Sequence, residues 1–163
     1  MSRPNEELLL SYIKGHQEQF YRLAYSYAKN SEDALDIVQD AVVKAIEKQH
    51  TLRDPGTIRT WFYRILVNTS IDTLRRRGRV YYTDALPEPE GEPSQESRVL
   101  DEVALYAAID RLSPDVRTVI LLRFFEDMKI SEIADVTRTP LSTAKNRLYR
   151  GLAALRLVLE EGM

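Results

Sequence analysis

Residues 82–97 place Pro87, Pro89, Pro93 and Gly91 among glutamates, with almost nothing apolar after Leu86. Proline withholds a backbone donor, and so little apolar surface cannot offset the entropy of ordering, so the sequence predicts an extended acidic linker. This feature cuts the 163-residue chain into two blocks, residues 1–79 and 103–163, joined by residues 80–102. Each block is small and must build its own core. The linker is either a plain tether or, given its charge, an occupant of a basic channel that otherwise holds nucleic acid.

In the first block, apolar residues recur at helical spacing and predict helices near residues 6–14, 16–29, 32–49 and 58–77. Gly15 separates the first two, and Ser31 is expected to cap the third. The third should bury Ala34, Leu35, Val38, Ala41, Val42, Ala45 and Ile46, leaving Asp33, Asp36, Gln39, Asp40 and Lys44 outside. The second block predicts helices near residues 98–111 and 114–125, the latter capped by Ser113, and then a helix pair. No segment sustains strand alternation. The expected fold class is therefore all-α, two small helical domains on a tether.

The pair spans residues 131–156 and reads as a short helix, a tight turn and a longer basic helix, a helix-turn-helix. Thr139 followed by Pro140 is a start signal, and Ala134 is small where two helices must cross. Leu141, Ala144, Leu148, Leu152 and Leu155 fall on one stripe that has to be buried. Opposite lie Ser142, Thr143, Asn146 and Arg150, flanked by Arg147 and Tyr149, with Lys145 on the boundary. Asn pairs bidentately with adenine and Arg with guanine, and a hydroxyl near a helix N-terminus holds phosphate, so this face suits a major groove. The alternative is a basic face that is merely solvated.

The fourth helix is less usual. At 100° per residue, Trp61, Arg64, Asn68, Asp72 and Arg75 share a stripe, while Phe62, Leu66, Val67, Ser70 and Leu74 face elsewhere as the core side. An indole, an amide and arginines together suit single-stranded DNA, where unstacked bases need π surfaces and phosphates need cations. In the alternative, Trp61 is a core anchor and the arginines are solvated. The run Arg75, Arg76, Arg77, Gly78, Arg79 adds a phosphate-binding patch at the helix end.

Net charge is −2, yet residues 1–77 carry 12 basic and 10 acidic side chains, 78–102 carry 2 and 7, and 103–163 carry 9 and 8. Residues 138–156 hold five Arg or Lys and no acid. Attraction of phosphate depends on such local concentrations, so the total does not argue against nucleic acid. The chain has no cysteine, which excludes zinc fingers, iron-sulfur clusters, thiol nucleophiles and disulfides. His16 and His50 have no second ligand type at a metal spacing. With no Gly-rich phosphate loop or nucleophile constellation either, no enzyme, metal, cofactor or small-molecule substrate is expected. The polar start, Met1 to Glu7, and the lack of a long apolar run predict a cytoplasmic protein.

Asp36–Ile46 (DIVQDAVVKAI), Thr60–Thr69 (TWFYRILVNT), and Leu112-Ser-Pro through Arg123-Phe-Phe-Glu-Asp with the helix-turn-helix together resemble an extracytoplasmic-function, or group IV, sigma factor of the sigma-70 family. The likeness covers nearly the whole chain and is greatest to the cell-envelope-stress group of SigV-like or SigW-like factors. It implies that residues 1–79 are sigma domain 2, docking on the β′ clamp helices of core RNA polymerase through Asp36, Gln39, Asp40 and Lys44. It implies that the loop from His50 to Thr60 receives a base flipped from the single-stranded minus-10 non-template strand. Leu52, Arg53, Thr60, Trp61, Arg64, Asn68, Arg75 and Arg76 would contact that strand.

Residues 103–163 would be sigma domain 4. They would read double-stranded minus-35 DNA through Ser142, Thr143, Lys145, Asn146, Arg147, Tyr149 and Arg150 while touching the β-flap. The linker would thread toward the active-site cleft, and an anti-sigma factor, often membrane-bound, would hold the protein inactive and away from the nucleoid. Leu52 stands where several family members have an aromatic, Ala144 is smaller than the usual valine, and Lys145 with Asn146 replaces a common Arg-Ser pair. A different class stays open on the residues alone, a helix-turn-helix transcriptional regulator that is not a polymerase subunit.

Overall fold

The computed structural model describes residues 5–77 and 101–161, with side chains described for 104–157 of the second stretch. The predicted linker thus lies almost wholly outside the described residues. Helices α1 (Glu6–Gly15), α2 (Gln17–Ala28), α3 (Ser31–Glu47) and α4 (Ile58–Arg76) come first, with 3-10 turns at Gln49–Thr51 and Pro55–Thr57 between the last two. Then follow α5 (Asp101–Arg111), α6 (Pro114–Phe124), α7 (Ile130–Thr137) and α8 (Leu141–Glu161). Among the described residues there is no strand, and the fold is all-α. They fall into two compact units, one drawn from Met1–Val80 and Asp135–Arg138, the other from Tyr81–Ala134 and Thr139–Met163.

The first unit packs α2, α3 and α4 on one another around an aromatic centre. Phe20 and Phe62 are fully buried with ring centroids 4.4 Å apart, and Tyr63 meets Phe20 edge-on at 5.5 Å. Leu9, Ile37 and Leu66 close the core. Asn30 rather than Ser31 caps α3, its side-chain oxygen accepting from the Asp33 amide. Ala34, Ala41 and Ala45 are buried as expected and Val38, Val42 and Ile46 half-buried, but Ile37 takes the core place expected of Leu35, which is 53% exposed. Asp33, expected outside, is buried because it is bonded by the cap.

In the second unit α8 packs against α5 and α6. Val116, Val119, Ile120, Leu122, Met128 and Ile133 form its core. Ser113 precedes α6 as expected but makes no capping hydrogen bond. Glu132 reaches back to the Lys129 amide and closes the start of α7. The Ala144 amide bonds the Pro140 carbonyl, so Pro140, one residue later than expected, stands at the cap of α8. The buried stripe of α8 is Ala144, Arg147, Gly151 and Leu155. Leu141 and Leu152, expected inside, are exposed.

Candidate nucleic-acid and partner interfaces

The α4 stripe meets solvent. Trp61, Arg64 and Asn68 are half-buried and Arg75 is exposed, and the four line one groove with Lys44, Lys48, His50, Thr51 and Asp72. Phe62, Leu66, Val67, Ser70 and Leu74 are all buried, as expected, so the packing of one face presents the other. The Trp61 indole N–H donates to Thr51 Oγ1 at 2.9 Å, which ties the ring to the preceding loop while it lines the groove with the cations. The core-anchor alternative for Trp61 does not describe this geometry.

Four expected contacts sit elsewhere. Leu52 is 3% exposed, an anchor of the loop core, because Asn5 Nδ2 holds the Leu52 and Gln49 carbonyls at 2.9 and 3.1 Å and turns the side chain inward. Thr60 is half-buried with its hydroxyl donated to the Thr57 carbonyl at 3.2 Å. Arg76 turns toward α3, with Nη2 4.0 Å from Asp40 Oδ2. Arg53 is exposed but does not line the groove. Lys48 and Thr51 are groove residues the sequence reading did not single out. Lys48, four residues after Lys44, falls on the same side of the chain as it leaves α3, a spacing that could have flagged it.

The acidic face of α3 is a separate place. Asp36, Gln39 and Asp40 are exposed, joined by Leu35 and by Val43 at 53% exposure. Lys44 does not belong with them. It is half-buried and faces the groove, its Nζ drawn to Thr69 Oγ1 of α4 at 3.4 Å.

On α8, Ser142, Lys145, Asn146 and Tyr149 are exposed and Thr143 and Arg150 half-buried, so six of the seven expected positions reach the surface. Arg147 does not: it is 9% exposed with its guanidinium toward Asp115. It stands on the core stripe beside Leu148, which was expected there and is half-buried. Among the described residues no cluster of metal-ligating side chains occurs, and no helix is long and apolar enough to cross a membrane.

Residues 12–80 match the family model for Sigma-70 region 2, and residues 102–155 that for Sigma-70, region 4. The chain is 44% identical over 152 residues to the RNA polymerase sigma factor SigV of Bacillus subtilis, covering 93% of this chain and 91% of that protein. It is 27% identical to the sigma factor SigW of the same organism, over 99% and 94% of the two chains. In fold it is similar to the sigma factor RpoE of Bartonella quintana, solved with the anti-sigma factor NepR, with a TM-score of 0.69 at 23% identity over 92% of this chain and 97% of that one. CnrH, solved with the cytosolic domain of CnrY, gives a TM-score of 0.66 at 23% identity over 98% and 92%. The chain belongs to the extracytoplasmic-function sigma factors of the sigma-70 family.

Proposed function

We propose that the chain docks on the β′ clamp helices of core RNA polymerase through Asp36, Gln39 and Asp40 and selects promoters with two separate DNA surfaces. Residues 1–79 are the domain that docks and opens the minus-10 element, 103–163 the minus-35 domain, and 80–102 a linker running toward the active-site cleft. In the α4 groove Trp61 stacks on an unpaired base of the non-template strand, Asn68 reads it, and Arg64, Arg75 and Lys48 hold phosphates. Ser142, Thr143, Lys145, Asn146, Tyr149 and Arg150 enter the major groove of duplex minus-35 DNA, with the same domain touching the β-flap.

What carries this reading is the single groove in which an indole, an amide and several cations stand together. Extruding a base costs a few kcal/mol, and stacking with one bidentate contact contributes about as much. One groove therefore offsets only local melting, and both promoter elements are required together. Tethering raises the effective concentration of the second contact once the first is made. Polymerase makes the RNA; this chain chooses the start.

The anti-sigma factor solved with the similar sigma factor of Bartonella quintana supports such a factor as a further partner, and the same reading puts the chain in the cytoplasm with genes of cell-envelope stress as targets. Run-off transcription with purified core enzyme over promoter variants tests the assignment. Asn146→Ala should lose dependence on the minus-35 sequence while keeping core affinity, and Asp36→Ala with Asp40→Ala should lose core retention without changing promoter preference. Loss of core affinity in the first variant, or unchanged retention in the second, would refute it.

A further inference from the structure

The α3 carboxylates offered to polymerase already have partners inside the protein. Arg77, which follows α4, pairs through Nη1 with Asp33 and sets Nη2 3.6 Å from Asp36 Oδ2. Arg76 Nη2 lies 4.0 Å from Asp40 Oδ2. Asp36, Asp40, Thr73, Arg76 and Arg77 line one small cleft.

The contacts differ in kind. Asp33 is buried and fixed by Asn30, which accepts from its amide at 2.8 Å and donates to its carboxylate at 2.9 Å. The Asp36 and Asp40 carboxylates are each 54% exposed, against 40% for Arg77 and 67% for Arg76, so these two pairs are weak and exchangeable. The same two arginines belong to the basic run at the end of the DNA-facing helix. A guanidinium nitrogen engaged by an α3 carboxylate is not engaged by a phosphate.

We propose that Arg76 and Arg77 form a charge latch between the docking face of α3 and the DNA face of α4. In the free protein they hold Asp40 and Asp36, and a cationic partner surface that takes those carboxylates releases them toward DNA phosphates. Arg77 stays anchored at Asp33 and frees one nitrogen, while Arg76 keeps only its 3.4 Å contact from Nη2 to Thr73 Oγ1. Docking and DNA binding thereby strengthen each other, by the same factor in both directions. The partner side of this inference rests on the reading of α3 as the polymerase-docking face.

The latch is tested on the full chain without polymerase, by anisotropy of a fluorescent oligothymidine at low salt. Asp36→Asn with Asp40→Asn should tighten binding about fivefold, the size expected when two exposed pairs stop competing. The gain should vanish in an Arg76→Ala, Arg77→Ala background. Glu32→Gln with Glu47→Gln removes the same charge from exposed sites outside the cleft and should yield a clearly smaller gain. No tightening, an equal gain without the arginines, or an equal gain from the glutamate pair would overturn the latch. Core retention by the Asp36→Ala, Asp40→Ala chain is a separate measurement, so failure of the docking reading is distinguishable from failure of the latch.

Discussion

Arg147 and Asp115 face each other across α8 and α6, Nη2 3.8 Å from Oδ2, with side chains only 11% and 14% exposed. A pair so buried is costly to break from one side, because the remaining buried charge loses an opposite charge. Arg147→Ala should destabilise the second unit by about 3 kcal/mol, read in thermal or urea unfolding. Replacing both residues, Arg147→Met with Asp115→Leu, should cost far less, since the separation exceeds a hydrogen bond. Lys145→Ala should instead leave stability alone and shallow the salt dependence of minus-35 DNA binding by about one unit of slope. A shallower slope in the Arg147→Met, Asp115→Leu variant would return Arg147 to the phosphate contacts.

Gly151 sits where α8 crosses α6. A Cβ there would lie 2.6 Å from Ile120 Cγ1, 2.7 Å from its Cδ1 and 3.1 Å from Val116 Cγ1. The terminal Cδ1 can swing aside about χ2, but Cγ1 is bonded directly to Cβ, so Ile120 must change its χ1 rotamer or the helices must separate. Gly151→Ala should cost about 1–3 kcal/mol by overpacking. Ile120→Ala opens space at the same point, so a double-mutant cycle should show the glycine substitution to be cheaper in that background. An additive pair would mean that the helices part without strain.

Leu52 anchors the loop before α4 and is 3% exposed. Leu52→Ala should cost about 2–5 kcal/mol, because the loop carbonyls held by Asn5 limit how far the site can collapse. An aromatic at this position overpacks the core unless the loop reorganises. Leu52→Tyr should therefore lower the unfolding midpoint rather than simply strengthen single-stranded DNA binding. An unchanged midpoint with tighter binding would show that the loop opens readily.

The helices and the α4 faces were legible because 3.6-residue periodicity carried them: Phe62, Leu66, Val67, Ser70 and Leu74 are inside and Trp61, Arg64, Asn68 and Arg75 reach solvent. The misplacements have a common origin. Leu141 and Leu152 are apolar yet exposed, while Asp33 and Arg147 are charged yet buried. Hydropathy ranks residue types, but a buried charge answers to its partner, and Arg77 for Asp33 and Asp115 for Arg147 are identified only once helices are packed. Lys44 was assigned to the acidic face because it lies within one turn of Asp40, whereas Thr69 on another helix draws it into the groove.

Trp61 is the only tryptophan in the chain, so its emission reports one site. Its indole N–H is bonded to Thr51 Oγ1 while the ring lines the groove, an arrangement in which a base can stack without displacing the bond. Titrating the full chain with an oligodeoxynucleotide of the non-template strand should quench or shift that emission, and duplex minus-35 DNA should not. Trp61→Ala should weaken single-stranded binding by about 1–3 kcal/mol, the contribution of one stacked base, whereas Trp61→Phe should retain much of it. Thr51→Val removes the acceptor but leaves the ring, so it should loosen Trp61 and reduce affinity by less than Trp61→Ala does. Emission that ignores single strands, or equal affinity in all three variants, would remove Trp61 from the DNA surface and make the groove a consequence of packing alone.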